Sequence, residues 1–253
     1  YTLGGAFQIS DVISASLGAR YIDASTEFDG GAVNGPLNSS IKFDAEGDGW
    51  GGILGLDIFP NEQMTIGIKY ASKVELEYDY TVDEGAQILG AIGIRDGDQK
   101  RDDLPAELAI GYSYQMTPKF RGEIGFNYYF NKDADIGGTT LREGLEDQID
   151  DSWEVGLGGE FTVSEVLNIS LGYLYSSIGV DPEYSSKFLP DLDAHTLAGG
   201  VKWMATPKLA VNFALGNVFY ESGSYVDTSL GIPIEVEFNK NIPFLAAGVQ
   251  YSF

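Results

Sequence analysis

Residues 119–131 read Lys119-Phe120-Arg121-Gly122-Glu123-Ile124-Gly125-Phe126-Asn127-Tyr128-Tyr129-Phe130-Asn131. The even positions carry Phe120, Gly122, Ile124, Phe126, Tyr128 and Phe130, and the odd positions are mostly polar or glycine. A period of two places these sets on opposite faces of a β-strand. The pattern recurs. In 166–176, Leu167, Ile169, Leu171, Tyr173 and Tyr175 alternate with Asn168, Ser170, Gly172 and Leu174. In 208–220, Leu209, Val211, Phe213, Leu215 and Phe219 alternate with Ala210, Asn212, Ala214 and Gly216. In 13–21, Ile13, Ala15, Leu17, Ala19 and Tyr21 alternate with Ser14, Ser16, Gly18 and Arg20. No helical period competes over comparable lengths.

The second face decides what kind of β protein this is. A soluble sandwich or lipocalin-like barrel would cover its outer face with Lys, Glu and Thr. Here that face is mostly Gly, Ser and Ala, with isolated Arg20, Lys69, Glu107, Glu154, Glu160 and Lys202. Small residues with single charges suit a barrel interior, so the apolar face is expected to meet lipid. Aromatics gather near strand ends at Tyr112, Tyr114, Trp153, Phe161, Trp203, Phe219 and Tyr220, as an interfacial girdle requires. No apolar run reaches the roughly 18 to 20 residues of a membrane helix, but a barrel strand needs only about 9 to 11 residues with every second one apolar. Mean hydropathy near zero (−0.07) is compatible with that.

Charge and residue usage exclude other classes. A net charge of −23 argues against nucleic acid, whose phosphates need basic patches, and against docking on anionic lipid through Lys and Arg. Without Cys there is no disulfide framework or thiolate metal site, and with only His195 a Ser/His catalytic pair is a poor reading. No G-x-S-x-G elbow occurs. Asp44, Glu46 and Asp48, and likewise Asp181, Asp191 and Asp193, carry enough oxygens for a hard cation, yet solvated strand or loop ends explain both groups better. No enzyme activity, cofactor or metal is expected.

Strands are expected at 1–9, 13–28, 39–58, 63–80, 104–115, 119–131, 150–162, 166–180, 194–205, 208–221 and 234–253. Tight turns fall at Ser10-Asp11-Val12, Pro60-Asn61-Glu62-Gln63, Met116-Thr117-Pro118-Lys119, Val163-Ser164-Glu165 and Ala205-Thr206-Pro207-Lys208. Longer polar segments lie at 29–38, 81–103, 132–149, 181–193 and 222–233. Short turns on one side and long loops on the other mark an outer-membrane barrel, with the long loops outside. The last strand alternates apolar residues and ends on Phe253, which resembles the signal read by the outer-membrane assembly machinery. Bacterial single-chain barrels have even strand numbers, so eleven strands imply a miscount or missing N-terminal strands. The chain opens on Tyr1 in strand sequence and is read as processed, trimmed or incomplete there.

One segment departs from the polarity of its loop: Ala86-Gln87-Ile88-Leu89-Gly90-Ala91-Ile92-Gly93-Ile94, flanked by Asp83, Glu84, Asp96 and Asp98. Ile88, Leu89, Ile92 and Ile94 should not stand bare in water. They bury against the rim as a loop helix, extend a strand, or form a groove for a hydrophobic ligand.

Three stretches resemble the FadL-type outer-membrane transporters of long-chain fatty acids and other hydrophobic compounds. The first is Gly47-Asp48-Gly49-Trp50-Gly51-Gly52-Ile53-Leu54-Gly55, followed across a turn by 64–73. The second is Asp103-Leu104-Pro105-Ala106-Glu107-Leu108-Ala109-Ile110-Gly111 with 114–119, and the third is Leu189-Pro190-Asp191-Leu192-Asp193-Ala194-His195-Thr196-Leu197-Ala198-Gly199-Gly200. The resemblance implies a fourteen-stranded transmembrane barrel with an N-terminal hatch. Residues 1–253 would then be one barrel domain, the C-terminal portion, lacking hatch and first three strands. It also implies a bacterial outer-membrane location and passive transport of hydrophobic small molecules. The apolar loop segment becomes part of a first docking site for cargo. The expected partners are that cargo and the lipid and lipopolysaccharide around a monomeric barrel. A polar general porin, or a structural or adhesion barrel, is the alternative.

Overall fold

The computed structural model describes residues 1–32, 39–91, 93–135, 148–181, 191–227 and 232–252. Its strands are β1 (Thr2–Ser10), β2 (Ile13–Ala32), β3 (Ser39–Asn61), β4 (Met64–Ala71), β5 (Glu77–Glu84), β6 (Gln99–Arg101), β7 (Ala106–Thr117), β8 (Phe120–Phe130), β9 (Ser152–Ser164), β10 (Leu167–Ser177), β11 (Ala194–Thr206), β12 (Leu209–Tyr220), β13 (Gly223–Asp227), β14 (Ile234–Phe238) and β15 (Asn241–Tyr251). A short α-helix, α1 (Ala86–Ala91), follows β5, and a single 3-10 turn, Asn131–Asp133, follows β8.

Eleven strands form a single antiparallel path, β1-β2-β3-β4-β7-β8-β9-β10-β11-β12-β15. They correspond one for one to the expected segments, with two corrections. Segment 63–80 is two strands, because the chain leaves the wall after β4 and returns as β5, which pairs the far half of β3. Segment 234–253 is also two strands: β14 pairs β13 in a separate hairpin, and only β15 joins the wall. Phe253 lies outside the described residues.

The five tight turns share one device. Each has two residues between strands, and the residue before them accepts a hydrogen bond from the second turn residue's N–H. Ser10 Oγ serves Val12 (3.3 Å), Asn61 Oδ1 serves Gln63 (2.9 Å), Thr117 Oγ1 serves Lys119 (3.3 Å), Ser164 Oγ serves Val166 (3.4 Å) and Thr206 Oγ1 serves Lys208 (3.3 Å). Such side-chain closure is why Ser, Thr and Asn stand there. No non-glycine residue among those described has positive φ, so these glycine-free turns cannot be the mirror-image types favoured in hairpins. A register shift beside each turn absorbs the mismatch in twist.

The register carries one apolar face across the sheet. Ile66, Tyr112, Ile124, Leu157, Tyr173 and Leu197 lie opposite one another in a continuous row. Ile124, Phe126, Leu171 and Phe213 are all exposed, as are Trp50, Leu54, Leu197, Leu215 and Leu245. An apolar surface of that extent is not viable in water and fits hydrocarbon. Its height is set by two aromatic rows. Phe120 and Tyr128, Phe161 and Trp153, and Trp203 and His195 each stand eight residues apart on their strands. At ~3.4 Å per residue and a barrel tilt of ~40°, that is ~21 Å, close to an outer-membrane apolar band. Along the same face of β3, Asp44, Glu46 and Asp48 precede Trp50, and Leu54, Leu56 and Ile58 follow it, so the boundary between water and lipid is written along one strand.

Candidate functional site

The opposite face holds the polar groups. Lys69 pairs Glu107 (3.0 Å), and Arg121 lies between Glu123 (3.2 Å) and Glu160 (3.7 Å). Glu154 accepts hydrogen bonds from Ser176 (2.7 Å), Tyr129 (3.1 Å) and Asn127 (3.2 Å). Neighbouring strands bring these partners level, so charges on this inner face are matched within the wall. The isolated charges noted in the sequence are therefore largely paired.

At the long-loop end, β3 continues beyond Trp50 and its partner changes from β4 to β5. Between them, Ser72–Leu76 folds inward as a strap across β3. Gly47, Gly49 and Gly51 alternate along the inner face there, and a Cβ on Gly49 would stand 2.3 Å from the Glu75 carbonyl oxygen. Val74 and Leu76 are buried against this lane. Arg20 on β2 donates to the Ser72 carbonyl (2.8 Å), and Val74 exchanges backbone hydrogen bonds with Leu104.

Asp103 ties the base of these loops. Its fully buried carboxylate takes a two-pronged bond from Arg101 (2.6 and 3.2 Å) and faces Lys73 at 3.4 Å. The N–H groups of Leu76 and Asp135 donate to it at 3.2 Å each. Burial opposes its ionisation, but the Arg101 hydrogen bond and the two backbone N–H groups outweigh burial and hold the carboxyl below its ordinary range. Arg101 also meets Asp135 at 2.9 Å, which links the loop after β8 to the strap.

Above the strap lies an apolar cluster of Ala45, Tyr80, Leu89 and Ile94, flanked by Ile41, Phe43, Tyr78 and Val82. Ala45, Phe43 and Gly47 share the inner face of β3, so α1 packs inside the mouth. Gly85 makes the turn into the helix at φ +78, where a Cβ would also strike the Ser40 carbonyl oxygen at 2.6 Å. The Ile94 N–H donates to the Leu89 carbonyl (2.9 Å), drawing the two ends of the segment together. Burial, with help from Asp102, pushes the Tyr80 phenol up to about 12.

Of the four expected groove residues, Leu89 and Ile94 come together, each about 1% exposed, as rim core. Ile88 stays outside that buried cluster and is 40% exposed. Ile92 lies outside the described residues. Asp44, Glu46 and Asp48 share the outward face of β3 beyond Trp50. Asp181, Asp191 and Asp193 border a hollow of about 410 Å³, in which Asp193 is engaged by Tyr175 (2.9 Å) and the Ile178 N–H (2.9 Å). Among the described residues neither group forms a cluster able to hold a metal ion. The strap and the Asp103 hub were missed in the sequence. Glycine at every second position, 47, 49 and 51, was the available signal, since it marks close approach to one face of a strand.

Comparison with known proteins places this geometry. A family model described as outer membrane protein transport protein (OMPP1/FadL/TodX) matches residues 1–253. The 47 kDa outer membrane protein of Pasteurella multocida is 23% identical over 240 residues, covering 85% of this chain and 52% of that protein. The crystal structure of a Pseudomonas aeruginosa FadL homologue aligns with TM-score 0.71 at 18% identity, over 99% of this chain and 66% of that one. The Ralstonia pickettii toluene transporter TbuX aligns with TM-score 0.62 at 15% identity, over 98% of this chain and 66% of that one. The Pseudomonas putida toluene transporter TodX aligns with TM-score 0.59 at 14% identity, over 100% of this chain and 68% of that one. The chain spans about half the length of the Pasteurella protein and about two thirds of each of these structures. At these identities the structural likeness shows the fold, an antiparallel outer-membrane β-barrel wall.

Proposed function

Since the chain belongs to the outer membrane protein transport family OMPP1/FadL/TodX, a family of bacterial outer-membrane barrels, we propose that it passes hydrophobic small molecules across that membrane. Relatives described as toluene transporters and a FadL homologue support hydrophobic cargo, an alkane-like chain or an aromatic ring. The family is described as one of transport, and no reaction is proposed. On this reading residues 1–253 act as one barrel-wall domain, with the long loops outside and the girdled face against lipid and lipopolysaccharide.

One observation carries the reading: an apolar segment inside an acidic loop folds into the mouth rather than outward. Leu89 and Ile94, buried in the cluster with Ala45 and Tyr80, anchor this segment, and Ile88 offers its open side chain. Ile88, Leu89, Ile92 and Ile94 are together the proposed capture site. Leu89 and Ile94 are already buried, so the aliphatic surface a ligand newly covers is that of Ile88, worth at most about 1.5 to 3 kcal/mol, and the remainder of the roughly 8 kcal/mol of micromolar capture comes from the rest of the mouth. The polar, charge-paired inner face favours the alternative of a polar-solute porin.

The test is Ile88→Asp in the full-length protein, an exposed position whose change spares the buried cluster. Uptake of a labelled hydrophobic solute should fall severalfold while the folded barrel's gel mobility stays unchanged. Unaltered uptake would remove the capture site from this loop.

A further inference from the structure

The two aromatic rows of the outward face differ in what stands beyond them. Two residues beyond the lower rings Phe120, Phe161 and Trp203, toward the short turns, are Pro118, Val163 and Ala205. Two residues beyond the upper rings Trp153, His195 and Phe219, toward the long loops, are Asp151, Asp193 and Glu221. Residues two apart on a strand share a face, so three carboxylates crown the upper row. A girdle that only anchors the wall at a water boundary needs no such difference between its two ends.

The upper rings also form one connected surface across β8–β11. Ring centroids lie 5.0 Å apart for Phe130 and Tyr128, 6.4 Å for Tyr128 and Phe126, and 6.5 Å for Phe126 and Trp153. They lie 5.3 Å apart for Trp153 and Tyr175, and 5.0 Å for Tyr175 and His195. The polar tips of this surface reach the carboxylates. The Tyr128 hydroxyl donates to Asp151 (2.8 Å), the Tyr175 hydroxyl donates to Asp193 (2.9 Å), and His195 Nε2 lies 3.3 Å from Glu221. Asp151 accepts one further bond, from the Lys132 N–H (3.0 Å), and a carboxylate has about four acceptor positions, so capacity is left. The Glu221 side chain is half exposed.

Below these rings, on the same face, the wall holds an apolar groove of about 450 Å³. Leu157, Leu171, Tyr173 and Leu197 line its upper part, and the Phe120 and Phe161 rings close its lower end. Gly159 leaves the room: a Cβ there would stand 3.1 Å from the Phe120 ring. Ring row and groove together run the ~21 Å of the apolar band.

We propose that this outward face of β8–β12 docks one glycolipid of the outer leaflet, with an acyl chain in the groove and its sugars on the upper ring row. The apolar face of a sugar lies on the rings, and its hydroxyls donate charge-assisted bonds to Asp151 and Glu221. The ring row and its three carboxylates include no Lys or Arg, so the surface reads hydroxyls rather than phosphates. A phospholipid offers the rings no sugar face and brings its phosphate to the level of three carboxylates. The site rests on the outer-membrane placement and not on the transport reading. It lies across the wall from the lumen and binds or fails to bind independently of flux.

Two anionic lipids of matched acyl length separate the possibilities: a deep-rough lipopolysaccharide and a phosphatidylglycerol. Each is titrated against delipidated full-length protein in detergent, and bound copies are read by native mass spectrometry. EDTA is present, so divalent bridges between carboxylate and phosphate are removed. One lipopolysaccharide should be retained, about tenfold more tightly than the phospholipid. Trp153→Leu should remove that preference and leave phospholipid binding unchanged, and Trp153→Tyr should restore it. Asp151→Ala combined with Glu221→Ala should act as Trp153→Leu does, and carries the same prediction if the tryptophan variant loses the gel mobility of a folded barrel. Leu171→Trp, which fills the groove, should weaken both lipids. Trp50→Leu, an outward ring on β3 away from this face, should change neither. Equal affinity of the two lipids for the unaltered protein overturns the site. So does an equal loss in Trp50→Leu and Trp153→Leu, which makes both rings ordinary girdle, and so does retention that requires divalent cations. Uptake is read in parallel: glycolipid binding without uptake refutes transport and leaves the site standing.

Discussion

Two residues at the mouth show how local chemistry shapes the path. At Gly49 the obstacle to a side chain is the backbone carbonyl of Glu75, which cannot rotate away as a flexible side chain can. Gly49→Val should therefore lift the strap and cost about 1 to 3 kcal/mol in equilibrium unfolding from lipid vesicles. Gly52→Ala, whose nearest neighbour is Ser72 Oγ at 4.0 Å, should cost nothing measurable. At Asp103 the sign of the pH effect follows from the direction of its shift. The folded carboxyl titrates below its ordinary value of 3.8, so its contribution is fully present above that value and is lost as pH falls through the lower folded one. Proteolytic resistance of the loop base should stay level from neutral pH to about 5 and drop only below about 4. In Asp103→Asn that acid-dependent step should disappear. A drop centred near neutral pH would contradict the role given to this carboxylate.

At the scale of the strand, the alternation that marks Lys119–Asn131 places Ile124 against lipid and Gly125 inside. Arg at Ile124, near the middle of the apolar band, should cost roughly 2 to 4 kcal/mol in vesicle unfolding titrations. Arg at Gly125 meets open space on the inner face and should cost far less. Equal tolerance would refute the register. The eleven wall strands were legible because a girdled, lipid-facing wall leaves a strict period of two, and because each tight turn carries its own Ser, Thr or Asn acceptor. The break inside 63–80 was not legible. Ser72–Leu76 contains no Gly, Pro or Asn, and nothing local stops the strand there. Its exit is dictated from elsewhere, by the glycine lane of β3 and by Asp103 some thirty residues further along the chain. The apolar run at 86–94 was visible as an anomaly, but which side chains turn inward depended on Gly85 and on the inner face of β3. That contact is tertiary.

For the whole molecule, two surfaces with opposite demands meet in one sheet. The girdled face satisfies lipid over ~21 Å. The inner face pairs most of its charges within the wall and keeps its apolar groups at the mouth and along β10–β15. A general porin needs a wide aqueous channel; a hydrophobic route needs greasy contacts at the entrance and no free passage for small polar solutes. The strap and α1 narrow the mouth on the inner side of β3, and this favours the second arrangement. The most direct measurement is uptake by intact cells carrying the full-length protein, against cells without it, of a labelled hydrophobic solute and of a polar solute of similar size. A hydrophobic route predicts faster entry of the first and unchanged entry of the second. Faster entry of the polar solute, with the hydrophobic one unaffected, would contradict it.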